Sequence, residues 1–387
     1  MLTTLAVANY RSLRQLVLPL GPLNVVSGEN GSGKSSLYRA LRLLAETARG
    51  GVVASLAREG GLGSALWAGP ENLSRAMKTG ERPVQGGPRR EPVNLRMGFA
   101  GDKVSYCIDL GLPVPTASAF AHDPEIKREC IWAGPQLRPS ALLVDRRGPV
   151  VRIRTEDGEW DTASSGLASF DSMLTEVADP QRAPEILAMR EQIRGWRFYD
   201  HFRTDLDAPA RQQQLGTRTP VMSNDGRDLA AALQTIREIG DSPALDAAVS
   251  DAFPGATLEI HSIDGRFDVL MRQHGLLRPL ASSELSDGTL RYLLWIAALL
   301  TPRPPALMVL NEPETSLHPD LLPALARLMA GAAKRTQLWV VSHSSRLISA
   351  LEQSEHCCSI ALQKELGETQ IVGQGLLDRP AWKWPER

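Results

Sequence analysis

Gly28-Glu29-Asn30-Gly31-Ser32-Gly33-Lys34-Ser35 decides the fold, and the apolar run Leu23-Asn24-Val25-Val26-Ser27 leads directly into it. The octet fits G-x-x-x-x-G-K-[ST] at every fixed position. Glycines let a backbone curl until several N–H groups converge on phosphate oxygens. From Ser35 onward Leu37, Leu41 and Leu44 recur at helical spacing, which predicts a helix whose positive N-terminal end faces the loop. In such a cradle, built by Asn30, Gly31, Ser32, Gly33, Lys34, Ser35 and Ser36, Lys34 would bridge the terminal phosphates as a point charge. Ser35 would place its hydroxyl on Mg²⁺. Strand, glycine loop and helix together predict an α/β core that takes a nucleoside triphosphate.

Three further constellations lie far along the chain. Ala306-Leu307-Met308-Val309-Leu310-Asn311-Glu312 is an apolar strand ending in an acid, the Walker B layout. Glu312 would polarise an attacking water as general base. The position before it usually carries an Asp that holds Mg²⁺ through water; here it is Asn311, an amide without negative charge. Ser286-Asp287-Gly288, 26 residues ahead of Glu312, opens an apolar helix. Taken alone it is ordinary helix-capping chemistry. Val340-Val341-Ser342-His343-Ser344 sets a His beyond a buried strand, 31 residues after Glu312, where it could reach a γ-phosphate.

The 387 residues are 43% apolar and 22% charged, enough for a sizeable core, which excludes a disordered tail, a collagen and a disulfide-stapled miniprotein. The net charge is −1, so binding of nucleic acid or anionic lipid needs a local patch. Cys107, Cys130, Cys357 and Cys358 have no zinc or C-x-x-C spacing and read as reduced thiols, the last two buried. No signal-peptide layout opens the chain, and the longest clean apolar run, Tyr292 to Leu300, is too short to span a bilayer. A cytoplasmic protein is expected.

Strands are expected over 2–10 and 15–20, and a loop-rich stretch over 50–92. Hairpins are expected at 94–110 and 141–154, in an antiparallel sheet with one wet face. Residues 165–250 read as mostly helical, 257–272 as another hairpin, and the segment from 282 as α/β. Three segments follow: 1–160 with the phosphate loop and an antiparallel β subdomain, 161–275 mainly helical, and 276–387 with the remaining motifs.

As an ordered set, GENGSGKS at 28–35, LSDGTLR at 285–291, VLNEPETSLHP at 309–319 and VVSHS at 340–344 resemble an ABC-type ATPase head of the SMC/RecF-like class, a predicted AAA-family ATPase with a split P-loop domain. ANYRSL at 8–13 is similar to the start of such heads. The resemblance implies an α/β P-loop NTPase of ABC-ATPase type, with an antiparallel β subdomain and a helical insertion between the two halves of the nucleotide-binding core. It implies ATP and Mg²⁺ as cofactors, and a homodimer with ATP sandwiched between subunits. Ser286 and Gly288 would then contact the γ-phosphate of the other subunit, Glu312 would activate water, His343 would hold the γ-phosphate, and a D-loop would fall near Ser316-Leu317-His318. Asp287 departs from the Gly of transporter signatures, and Gln85 is left without a role.

A transporter subunit is disfavoured by the 252 residues between Lys34 and Ser286, and a long SMC rod by the missing coiled coil. Two readings stay open: a hydrolysing dimer clamp acting on DNA or on an effector protein, in repair or anti-phage defence, and an ATP-gated binding module that barely hydrolyses. Arg146, Arg147, Arg152 and Arg154 form a basic ribbon that would serve as a phosphate track if DNA is the partner. No membrane partner is expected.

Overall fold

The computed structural model describes residues 1–72, 74–86, 93–114 and 117–386. Two compact units are present. The first comprises Met1–Leu20, Gly28–Gly195 and Ile360–Arg387; the second, Gly21–Ser27 and Trp196–Ser359. These units cut across the three consecutive segments expected from sequence. Among the described residues no helix is long and apolar enough to cross a membrane.

The first unit is built on an eight-stranded antiparallel sheet, in spatial order Leu13–Pro19, Leu2–Tyr10, Leu95–Gly101, Val104–Gly111, Glu125–Ala133, Leu142–Arg147, Val150–Arg154 and Trp160–Ser164. Both expected hairpins are there. The expectation of one wet face fails for the central strands. Met97, Phe99, Tyr106, Ile108 and the residues between them are nearly all buried, so both faces are covered. One cover is aromatic: Trp382 packs edge-on against Trp132 at 5.7 Å and against Trp384 at 5.1 Å, over Cys107 and Cys130. The stretch expected as loop contains three short helices, Val52–Arg58, Leu62–Ala65 and Arg75–Lys78, each too short to show a helical period in sequence. Gln85 is exposed outside any element, and residues 87–92 lie outside the described set.

The second unit has a parallel sheet in the order Arg197–Tyr199, Leu307–Asn311, Gln337–Val341 and Leu23–Gly28, the last of these shared in sequence with the loop of the first unit. Leu307–Leu310 and Leu338–Val341 are continuous apolar runs, as sheets covered on both faces favour, and buried Asn24 in the neighbouring strand is satisfied by Leu338 O at 3.0 Å. Helices Leu229–Ile239, Ser242–Ala252, Asp287–Leu299, Leu322–Ala332 and Ser345–Glu352 belong to it. In Asp287–Leu299 every residue from Leu290 onward is buried, so it is a core helix and not an amphipathic one. Trp295 packs edge-on against Phe202 at 4.8 Å and donates its indole N–H to Pro313 O at 3.0 Å. The region 165–250 is less helical than expected: Arg197–Tyr199 is a strand, and most of 200–228 is irregular. The hairpin Thr257–Ile263 with Arg266–Arg272 forms as expected.

Candidate functional site

In the first unit the loop from Gly28 runs into the helix Lys34–Glu46. Gly33 caps that helix in the left-handed region at φ 112°, and no side chain caps it. A Cβ there would lie 2.1 Å from Thr369 Oγ1, so only glycine fits. Thr369, buried in the strand Glu368–Ile371, buttresses the loop: its Oγ1 lies 2.8 Å from both Ser32 O and Ser12 Oγ. Lys34 is 5% exposed and donates to Gly28 O at 2.6 Å and Glu29 O at 2.8 Å, which folds its ammonium into the loop. Asn30 and Gly31 stand exposed at the crest, Ser35 is exposed and Ser36 half-buried. The Ser32 hydroxyl is buried without a protein partner. No acid sits in the first helical turn. An uncapped helix start, an inward ammonium and an orphan hydroxyl suit an anionic oxygen ligand, and the Ser35 hydroxyl is free to face its metal.

The second unit carries the acid and the histidine. Leu307–Asn311 and Gln337–Val341 run parallel with Asn311 opposite Val341, so Asn311-Glu312 and Ser342-His343 leave the sheet at the same carboxyl end. Leu23–Gly28 runs parallel beside Gln337–Val341 and ends the same way. Glu312 adopts φ 50°, a left-handed conformation uncommon for a side chain of this size, with its N–H on Val341 O at 2.8 Å. Its Oε1 lies 2.6 Å from His343 Nε2, both side chains being about half exposed. The two residues expected to act together are therefore in contact.

Sequence reasoning missed Glu314. Its Oε1 accepts from Ser342 Oγ at 2.7 Å, His343 N at 2.8 Å and Ser344 N at 3.1 Å, which clips the histidine loop to the acid loop. The repeated acid in Asn311-Glu312-Pro313-Glu314 was the available signal. Arg291, inside the LSDGTLR stretch, was also given no role. It is buried and donates to Thr315 O at 2.7 Å, Phe202 O at 2.8 Å and Thr204 Oγ1 at 3.3 Å; burial lowers its pKa from the usual arginine value.

Ser286 caps the helix Asp287–Leu299 by accepting from Thr289 N at 3.2 Å. Gly288 sits close to the next loop, since a Cβ there would meet Ser316 O at 3.3 Å, a tight contact. The signature segment and the Ser316-Leu317-His318 loop thus touch. Asp287, the departure from transporter signatures, accepts from Arg211 Nη2 at 2.6 Å. Buried Arg211 also donates to Leu285 O at 2.7 Å and Thr204 O at 2.8 Å.

The four arginines do not form one basic ribbon. Arg146 is fully buried, paired with buried Glu129 at 2.6 Å and donating to Ala168 O and Asp171 O. Strand alternation sends it to the opposite face from Arg147, Arg152 and Arg154. Cys357 and Cys358 are half-buried, whereas Cys107 and Cys130 are buried. Among the described residues no cluster of three or more His, Cys, Asp or Glu could hold a metal.

The chain is similar over 44 residues, at 48% identity, to the OLD nuclease of Thermus scotoductus; that match covers 11% of the chain and 8% of the relative. The crystal structure of an SMC head bound to the C-winged helix domain of ScpA superposes with a TM-score of 0.50 at 13% identity, covering 97% of this chain and 98% of that one. The SMC head domain from Thermotoga maritima gives 0.44 at 15% identity, covering 97% and 99%. The fold is that of an ABC/SMC-like P-loop ATPase head, α/β with an antiparallel sheet. With a family model matching residues 23–349, the chain belongs to the family described as "AAA domain, putative AbiEii toxin, Type IV TA system".

Proposed function

We propose that the chain binds and hydrolyses ATP as an ABC-type head, dimerises around the nucleotide, and couples its state to DNA or to a separate effector protein. The observation that carries this reading is the 2.6 Å contact between Glu312 Oε1 and His343 Nε2, at the ends of adjacent strands in a sheet whose next strand leads into the phosphate loop. That contact supports the reading because it puts the candidate base beside the candidate γ-phosphate ligand, so that one reacting centre could meet both. Bound ATP with Mg²⁺ would supply an electrophilic γ-phosphoryl group whose charge the metal shares.

In this reading Asn30, Gly31, Ser32, Gly33, Lys34, Ser35 and Ser36 hold the triphosphate, with Lys34 turning from its own loop carbonyls toward phosphate. Ser35 and Asn311 are the metal-facing residues. Glu312 takes a proton from the attacking water, and His343 gives up its contact with Glu312 to hold the γ-phosphate. Ser286 and Gly288 of a second copy close the other side. A cytoplasmic setting suits ATP-dependent work of this kind.

Asn311 favours a second reading, an ATP-gated dimerisation module with little hydrolysis, because an amide leaves the metal without the usual negative charge. Size measurement with and without ATP and Mg²⁺, beside phosphate release, on wild type and Glu312→Gln separates the two. A hydrolysing head loses phosphate release and accumulates ATP-bound dimer in the variant; a module shows little change in either. A wild-type chain that stays monomeric and silent with ATP would sink both.

A further inference from the structure

The outer edge of the eight-stranded sheet carries a cavity of about 550 Å³ whose lining includes Leu142, Asp145, Arg147, Val150, Arg152 and Trp160. Asp145 pairs across the strands with Arg152, and Arg154 with Trp160, so alternation brings Arg147, Arg152, Arg154 and Trp160 to one face. The one acid in the lining is already engaged: Asp145 accepts from Arg128 Nε at 2.9 Å, Arg128 Nη2 at 3.1 Å and Arg147 Nε at 3.0 Å. Arg152 is exposed and, among the described residues, makes no ion pair. Around the cavity Arg147, Arg152 and Arg154 therefore stand against the single lining carboxylate of Asp145; farther along the same face Asp109, opposite Arg128, is engaged by Arg96 at 3.1 Å. Trp160 is 40% exposed, with the Arg154 guanidinium 5.8 Å from its ring centroid. The exposed turn acids Glu156, Asp157 and Glu159 bound this positive run beyond Trp160, which keeps the favourable field short.

An open aromatic plate beside forked cations matches one chemistry well: a base stacks on the ring while its phosphate takes the guanidinium groups. An acidic peptide would use the arginines but leave the indole idle. A duplex hides its base faces. We propose that this cavity binds a nucleotide unit, with the base against Trp160 and the phosphate on Arg147 and Arg152. The unit comes either from single-stranded nucleic acid or from a free nucleotide. The use of the site in coupling rests on the ATP-driven-head reading; the binding itself does not.

The test is fluorescence anisotropy of a labelled oligothymidylate with the whole chain, without ATP, competed by thymidine monophosphate or by polyglutamate. Saturable binding is expected. Trp160→Ala should weaken it by about five- to a hundredfold, and Trp160→Phe should restore most of that loss. Arg152→Ala should reduce the slope of log affinity against log salt by about 1. Lys34→Ala should bind the oligonucleotide as wild type does while losing ATP, which keeps a failure at this cavity distinct from a failure at the phosphate loop. Displacement by the monophosphate at similar concentration assigns a free nucleotide, and displacement only by oligonucleotide assigns a strand. Unchanged binding in both Trp160→Ala and Arg152→Ala overturns the proposal, as does equal competition by polyglutamate with Trp160→Ala indifferent.

Discussion

Removing the Glu314 carboxylate probes the histidine loop most directly. One oxygen takes three bonds, from Ser342 Oγ at 2.7 Å, His343 N at 2.8 Å and Ser344 N at 3.1 Å. Bonds to a charged acceptor contribute about 1.5–3 kcal/mol each, against about 0.5–1.5 kcal/mol for a neutral one. Glu314→Gln keeps an oxygen for the three donors and gives up only the charge, so the loss is about 1 kcal/mol per bond. Because the three share one atom they do not add fully, and about 2 kcal/mol is expected. Glu314→Ala strands all three donors. Ser342 is fully buried and its hydroxyl loses this acceptor where water does not reach, whereas exposed His343 can turn its N–H to solvent. About 3–4 kcal/mol is expected for the alanine. Urea unfolding at matched slopes measures both. Phosphate release should also fall by about ten- to a hundredfold in Glu314→Ala, because the imidazole that touches Glu312 is no longer held in place. ATP affinity should fall less than phosphate release, since the loop residues 30–36 keep their own contacts while only the γ-phosphate ligand His343 is loosened. An alanine variant within about 0.5 kcal/mol of wild type that releases phosphate at the normal rate would refute the clip.

Arg146→Met leaves the buried Glu129 carboxylate uncompensated and should cost about 3–5 kcal/mol by urea unfolding, whereas Arg152→Ala should stay within about 0.5 kcal/mol; equal effects would restore the exposed ribbon. Gly33→Ala drives a Cβ toward Thr369 at a backbone angle alanine avoids, so the ATP-dependent rise in melting temperature should vanish; a normal rise would show that the loop tolerates a side chain. Burial, then the Glu352 and Cys358 charges, pushes the Cys357 thiol up to about 11. Its alkylation should be slow at pH 8 and accelerate only in more alkaline solution, as followed by mass spectrometry. Because the folded value is the higher one, the associated stability is intact below the unfolded thiol value and is lost as pH climbs toward 11. Fast labelling at pH 8 would count against a shielded thiol.

The phosphate loop, Glu312 and His343 were legible because chemistry fixes their residue types and because each follows an apolar strand. The contact between Glu312 and His343 follows from two neighbouring parallel strands, a pairing that the order of motifs suggests. Strand alternation could have separated Arg146 from Arg147, since Arg146 keeps step with Val144; reading the arginines as one ribbon ignored that period. The burial of Leu95–Gly101 on both faces was not legible, because part of the cover is Trp382, remote in sequence. The strand Arg197–Tyr199 is three residues long and belongs to the sheet only through its neighbour Leu307–Asn311, so no local pattern announces it. Asp287 looked like a deviation and is explained by Arg211, whose role depends on a fold that brings residues 76 positions apart together.

Thr204 ties two arginines to each other. Its carbonyl receives Arg211 and its hydroxyl receives Arg291, and the same two side chains reach Leu285 and Asp287 on one hand and Thr315 on the other. Such a strut is stiff because each planar guanidinium is held at several points at once. The strut joins Asp287, the neighbour of Ser286, to Thr315, three residues from Glu312, by a route that does not pass through the sheet.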